Sequence, residues 1–350
     1  MRRAKPFTPN DRDREILWLT YEYRYVSVDL LHALLQEPPK EGRSYGFGLS
    51  GLRARCQKLR EHGYLVWQHL RDEPVGRGHR TERPMVYAVG PAAADVLAER
   101  TGLTPRQFKA VLAKNAVTSF FLRHELGISH FRACLELACR GTESKVSIGT
   151  WLQGGLNDRV IVDVDGKEEI VPVVPDALFS LIVRTANGRT TLSHYFLEYD
   201  TGTMDLKRIS KKAFGYERYL SEGLHRRRYT YAGDTADTAN LRFVVENWND
   251  IKAANRAAIE AHAPLTFQVL FVTRASPEDL RRSGAGDDPA RVRQRNMMDA
   301  VREVSDSRGR FLFCTAEVDF DLQQVTTILD SAWLSTASAD ARRKLLDLAS

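Results

Sequence analysis

Residues 265–273, LTFQVLFVT, form a nearly unbroken apolar run without a single charge. The run is too short to span a membrane and too apolar for a strand with one wet face. It predicts a strand buried on both sides, and that burial requires helices above and below its sheet. The surrounding pattern supplies them. Helices are expected at about 119–140, 205–222, 240–262 and 289–306. Further strands are expected near 147–152, over Val171–Val183 and Leu192–Tyr199, and near 310–316. The segment TANGRT joins the middle two, and its Asn187-Gly188 pair is a strong hairpin signal. The order α-β-β-β-α-β-α-β describes a central mixed sheet covered by helices, so the chain falls in the α/β (α+β) class.

The first hundred residues read differently. Residues 9–21 carry a helical pattern with Thr8 or Asn10 as N-cap, residues 27–35 a second capped by Ser27, and residues 49–62 a third closed by Gly63. In the third, Leu52, Cys56 and Leu59 recur at helical spacing and should be buried, leaving Arg53, Arg55, Lys58 and Arg60 outward. Tyr64–Leu70 and Pro84–Val89 then make a hairpin around a turn-rich tip that carries Arg77, His79 and Arg80 beside Gly76 and Gly78. Helix, helix, basic helix and basic-tipped hairpin is the order of a winged helix. Such a domain sets its third helix in the major groove of double-stranded DNA, with Arg53 and Arg55 as base readers and the wing-tip cations on phosphates.

Charge supports this placement. The chain carries a net +6, and residues 1–100 hold 17 Lys and Arg against 13 Asp and Glu, so most of the excess lies there. Cys56, Cys134, Cys139 and Cys314 form no CxxC pair and have no His at ligand spacing, which argues for reduced, buried thiols and against zinc or disulfides. No apolar run approaches the roughly 18 residues of a membrane span, and the basic N-terminus is not followed by a signal-like apolar stretch, so a cytoplasmic protein is expected. No GxxxxGK[ST] loop and no HxH-type histidine group accompany the tyrosines, which leaves NTP-driven and relaxase-type chemistry unsupported.

Three acids mark the centre of the predicted sheet. Asp176 follows Pro175, while Glu198 and Asp200 lie two apart and share one strand face. Should Asp176 lie opposite them on the neighbouring strand, three carboxylates converge, and mutual repulsion then demands a cation or a base. Mg²⁺ or Mn²⁺ suits such oxygen donors, with Asp176 and Glu198 as the candidate ligands. On the next helix Arg208, Lys212, Tyr216 and Tyr219 line one face, and Lys212 can approach the acids. The basic run His225-Arg226-Arg227-Arg228 lies beyond that helix. His124, Glu125 and Trp151 read more simply as packing or surface residues.

In this order and spacing, LRHELGISH (122–130), Trp151, PDALFSL (175–181), FLEYDTGT (196–203) and Lys212-x-x-x-Tyr216 with Tyr219 resemble the replication-relaxation family of plasmids and integrative elements. The resemblance covers roughly residues 8–320 and implies a role in replication or DNA relaxation. The second domain is also similar to the PD-(D/E)xK nuclease superfamily, a restriction-endonuclease-like fold with an α-β-β-β-α-β core. That likeness implies Asp176 and Glu198 as catalytic acids and a lysine two residues after the second acid. Asp200 stands there instead, which leaves Lys212 as the candidate replacement and Tyr216 as its neighbour in the site.

The expected organisation is a winged helix over 5–100, a helical connector over 101–118, the nuclease-like domain over 119–320 and a helical tail over 321–350. Three functions stay open. The first is a DNA-binding accessory factor that works with replication or mobilisation proteins, with a homodimer compatible. The others are a metal-dependent endonuclease and a transcriptional regulator.

Overall fold

The computed structural model describes residues 7–36, 48–70, 85–115, 119–164, 166–185, 188–232, 240–244, 248–275, 288–307, 309–316, 318–336 and 338–345. It divides into two compact units, residues 1–133 and 134–350.

In the first unit, α1 (Asp11–Tyr23) starts at a capping box. The Asn10 side chain accepts the Asp13 amide at 3.0 Å, and the Asp13 carboxylate accepts the Asn10 amide at 2.8 Å. β1 (Val26–Ser27) leads into α2 (Val28–Leu35), whose first turn is capped by the Ser27 hydroxyl. α3 (Leu49–Glu61) buries Leu52, Cys56 and Leu59 and ends at His62, with Gly63 at φ +75°. β2 (Leu65–His69) and β3 (Met85–Val89) pair antiparallel, and β1 joins β3 to complete a three-stranded sheet. Apart from β1, which the sequence reading does not expect, these are the elements that the hydrophobic spacing predicts, to within two residues at each end.

Gly90 ends β3 where the chain passes over the close of α3. A Cβ there would lie 2.3 Å from the Gly63 carbonyl oxygen, and two backbones cannot yield as a side-chain tip can. Gly90→Ala is therefore expected to cost about 1–3 kcal/mol of first-unit stability, read by chemical denaturation. A neutral result would mean that the crossing relaxes freely.

α4 (Ala94–Thr101) ends on Gly102 in the left-handed region, and α5 (Pro105–Lys114) opens with a Thr104–Gln107 capping box. α6 (Ser119–Arg140) follows, and the division into units falls inside it. Within the first unit its Leu122 packs with Tyr25, Leu70, Val86 and Ala88.

The second unit is built on a seven-stranded sheet. β4 (Val146–Gln153), β7 (Ala177–Arg184) and β8 (Thr190–Asp200) form an antiparallel meander. Between β4 and β7 the chain makes a separate hairpin, β5 (Asp158–Val164) and β6 (Lys167–Val173). After β8, α7 (Leu206–Ser221) leads through β9 (Tyr229–Ala232), β10 (Asn240–Phe243) and α8 (Ala253–Ala261) to β11 (Gln268–Thr273). β11 lies parallel to β8, and β12 (Phe311–Thr315), reached through α9 (Pro289–Arg302), lies parallel to β11. A short α10 (Thr327–Asp330) precedes β13 (Trp333–Ser335) and β14 (Ser338–Arg343), which extend the edge antiparallel. The strand order is β14-β13-β12-β11-β8-β7-β4.

The apolar run 265–273 contains the central β11, with Val269 to Thr273 all buried. On the α7 side of the sheet, Phe196 stacks on Phe267 at 4.4 Å and packs with Tyr216, Tyr219 and Tyr229. The β5–β6 hairpin lays Val160, Val162, Val171 and Val173 onto the same cluster. It sits close because α7 has Gly215 beneath it, where a Cβ would be 2.9 Å from Val171 Cγ1.

Three expectations are corrected. Val171–Val183 is not one strand: it breaks at Val174–Pro175–Asp176 between β6 and β7, which belong to different sheets. Residues 240–262 are not one helix, since β10 precedes α8. Residues 321–350 are not a helical tail, because α10 has one turn and the chain then adds two strands to the main sheet.

Candidate functional site

The meander places the acids of the second unit at one end of the sheet. The Asp176 amide donates to Leu197 O at 2.9 Å, just past the β7–β8 register, and Asp176 Oδ2 accepts the Tyr199 amide at 2.7 Å. Asp176 thus stands beside Glu198 from the neighbouring strand. His194, Phe196, Glu198 and Asp200 alternate along the face of β8 that looks toward α7 and α9, as a strand period of two requires.

Glu198 is almost fully buried. Its Oε1 accepts the Tyr216 hydroxyl at 2.6 Å, and its Oε2 accepts the Lys212 ammonium. Lys212 and Tyr216 lie one turn apart on α7, so a single helix face delivers both donors. Burial pushes the Glu198 carboxyl up, to about 7, against the pull of Lys212; Asp176 adds to the push. Burial works against the Lys212 ammonium, yet Glu198 and Asp176 outweigh it and hold its pKa above the usual lysine value. Burial and the Glu198 carboxylate drive the Tyr216 phenol far above the ordinary tyrosine range. Tyr216 therefore orients Glu198 and is no accessible nucleophile.

Asp200 does not join this group. Its Oδ2 accepts Arg293 Nε at 2.5 Å and the Thr273 hydroxyl at 2.9 Å, and its Oδ1 accepts the Met204 amide at 3.2 Å. The convergence expected of Asp176, Glu198 and Asp200 is thus reduced to two acids and a lysine, because an α9 arginine draws the third away. Sequence reasoning missed Arg293, which lies 93 residues from its partner.

Asp176 and Glu198 offer the hard oxygens that Mg²⁺ or Mn²⁺ prefers. The donor set does not fit such an ion as it stands. Both Glu198 oxygens hold protein donors, Asp176 Oδ2 holds a backbone amide, and among the described residues no three His, Cys, Asp or Glu side chains gather as a metal site. Glu125 is paired with Arg24 at 2.7 Å, and Trp151 stacks on Phe179 at 5.5 Å. The basic run is largely structural. His225 is buried against Leu265 O, and Arg228 holds Asp158, which also accepts the Tyr219 hydroxyl.

In the first unit the basic residues of α3 part company. Arg53 and Lys58 are exposed. Arg60 lies over the ring of Trp67, 5.3 Å from its centroid. Arg55 grips Asp13, which is wholly buried, through both Nε and Nη2, and shares the Phe7 ring with Lys58, whose Nζ lies 4.9 Å from the ring centroid. Its assignment as a base reader is corrected: the guanidinium is spent on neutralising an internal carboxylate. Gln57 is exposed four residues after Arg53, its amide donating to Glu61 at 2.9 Å; an uncharged side chain carries no signal in a search for basic residues. Arg77, His79 and Arg80 lie outside the described residues.

The four cysteines are buried and none is in a disulfide, and burial raises the thiols of Cys56, Cys134 and Cys139 to about 12. No described helix is long and apolar enough to cross a membrane.

No curated protein and no solved structure gives a significant match to the chain. A model of the replication-relaxation family matches residues 21–235, from the end of α1 to just past β9, and the chain belongs to that family.

Proposed function

We propose that this protein is a DNA-binding accessory factor in the replication, relaxation or mobilisation of a plasmid or other mobile element, acting in the cytoplasm. Family membership supports the setting. The observation that carries DNA binding is α3 itself. It buries Leu52, Cys56 and Leu59 and leaves Arg53, Gln57 and Lys58 on its solvent side, in a unit whose order of three helices and a hairpin is that of a winged helix. Arg53 and Gln57, one turn apart, are the base readers in this reading, since arginine matches guanine and glutamine matches adenine in the major groove. Lys58 and Arg60 serve phosphates.

The second unit supports a nuclease-like scaffold. Its meander β4-β7-β8, followed by α7 and the parallel β11, gives the α-β-β-β-α-β order, with Asp176 and Glu198 side by side at the strand ends. The saturated donors of Glu198 and the Arg293 clasp on Asp200 favour a scaffold over an endonuclease.

Two measurements test this. In anisotropy titrations on the element's own duplex, Arg53→Ala and Gln57→Ala should each cost about 1–3 kcal/mol and relax sequence preference. Lys58→Ala should weaken all duplexes alike and lower the salt slope by about 0.9. Unchanged affinity in the Arg53/Gln57 double variant would remove α3 as the reading helix. Purified protein incubated with supercoiled cognate plasmid and Mg²⁺ or Mn²⁺, with and without EDTA, should leave it intact. EDTA-sensitive nicking lost in Glu198→Ala would replace the accessory role with an endonuclease.

A further inference from the structure

Three buried acids around the second unit's sheet, and the half-buried Asp158, each have a cation from the protein's own chain. Glu198 has Lys212, and Asp200 has Arg293. Asp319 has Arg291 and Arg342, and Asp158 has Arg228. For Asp200 and Asp319 the partner is a guanidinium with further donors filling in around the carboxylate, among them the Met204 amide on Asp200 and the Thr315 amide and hydroxyl on Asp319. At Glu198 the partner is an ammonium, a compact point charge, and Asp176 stands beside that pair from the neighbouring strand. Lys212 hydrogen-bonds Glu198 and also lies within the electrostatic reach of Asp176.

Two adjacent carboxylates in a place of low dielectric repel each other unless a cation joins them. Where two such carboxylates line a site that water reaches, a divalent metal that keeps several of its waters can be that cation. An ammonium with three donors can take the same position, and as a covalent part of the chain it is always present. We infer that Lys212 is the resident cation of the Asp176–Glu198 pair, standing where a divalent metal would otherwise bind, so that removing its ammonium creates a Mn²⁺ or Mg²⁺ site.

Three features make the exchange feasible. The Lys212 side chain is 31% exposed, so its departure opens a way in for a hydrated ion. Tyr216 holds the other Glu198 oxygen and keeps the carboxylate aimed after the lysine is gone, in the manner of an outer partner to a metal ligand. Asp176 is pinned by the Tyr199 amide through Oδ2 and by its own amide on Leu197, so the spacing of the two acids is set by backbone pairing and does not depend on Lys212.

The inference rests on the nuclease-like reading of the second unit but not on DNA binding, because its test contains no DNA. Full-length wild type, Lys212→Ala, Lys212→Gln and the double variant Lys212→Ala/Glu198→Gln are titrated with Mn²⁺ by calorimetry at about pH 8, where carboxylates compete well against protons. Wild type should show no saturable site. Lys212→Ala should bind one Mn²⁺ at least about tenfold tighter than wild type, and the double variant should lose that site. Lys212→Gln keeps the side-chain length and a neutral donor; it should gain part of the affinity and serves if the alanine variant does not melt cooperatively. A wild type that binds one Mn²⁺ through Glu198 as tightly as Lys212→Ala overturns the inference. So does a folded Lys212 variant with no gain over wild type. The anisotropy titrations can fail without touching either outcome.

Discussion

Replacing Arg55 with alanine is expected to cost about 3–5 kcal/mol of first-unit stability, more than the loss of any other α3 cation. Asp13 is wholly buried, and its carboxylate has two obligations: it accepts the Asn10 amide as part of the α1 capping box, and it holds the Arg55 guanidinium through two parallel donors. Taking away the guanidinium strands a charge in the interior, where nothing replaces the lost solvation. Arg55 also covers Phe7, with its Cζ 5.3 Å from the ring centroid, so some packing goes with it. Arg55→Lys restores the charge but only one of the two parallel bonds, and should recover part of the loss. Arg53→Ala removes an equal charge from an exposed position and should cost under about 1 kcal/mol. Thermal melting of the three variants checks this, with Arg55→Ala falling by roughly 10–20 °C and Arg53→Ala by little. An Arg55→Ala protein that melts with wild type but loses DNA would return Arg55 to the reading face.

That contrast shows where sequence reasoning reached its limit. Periodicity in α3 fixes which residues are buried, because Leu52, Cys56 and Leu59 recur at the helical period. It is silent on what a flanking arginine meets, because Asp13 approaches from another helix, 42 residues away. The same divide runs through the second unit. The meander, β11 and α7 were legible from apolar runs and from the Asn187-Gly188 turn, the first residue of which lies outside the described residues. The meeting of Glu198 with Lys212 and Tyr216 was legible because strand period and helix turn are local rules. Arg293 was not, since nothing local marks it as the partner of Asp200. The β5–β6 hairpin is not among the expected elements, and the strand expected over Val171–Val183 runs across the break at Pro175. A proline that cannot donate to a sheet was the signal for the break between β6 and β7. Residues 333–343 read as tail because an edge strand draws its burial from a neighbour, here β12, and carries little pattern of its own.

The stability of the second unit is expected to fall as pH rises from about 4.5 to about 7, by up to about 3 kcal/mol, through Glu198 alone. The sign follows from the direction of the shift. Burial raises the folded carboxyl from its ordinary 4.5 to about 7, so the folded state holds the proton more firmly than the unfolded chain does. The contribution is therefore present in full below the unfolded value and is lost as pH climbs through the folded one. Lys212 does not confuse the window. Its folded value is raised above the ordinary 10.5, so the stability it adds persists across neutral pH and is lost only in strong alkali. Glu198→Gln keeps the shape and a hydrogen-bonding oxygen for Lys212 or Tyr216 but cannot titrate. Denaturation of wild type and variant at matched pH isolates the effect, because every other titrating group cancels in the difference. The stability of wild type minus that of Glu198→Gln should decline between pH 4.5 and 7 and level off above. A flat difference would mean that Lys212 holds the carboxylate ionised throughout. A rising one would mean that the ion pair outweighs burial, and the site would then be a stabilising salt bridge with no proton to exchange.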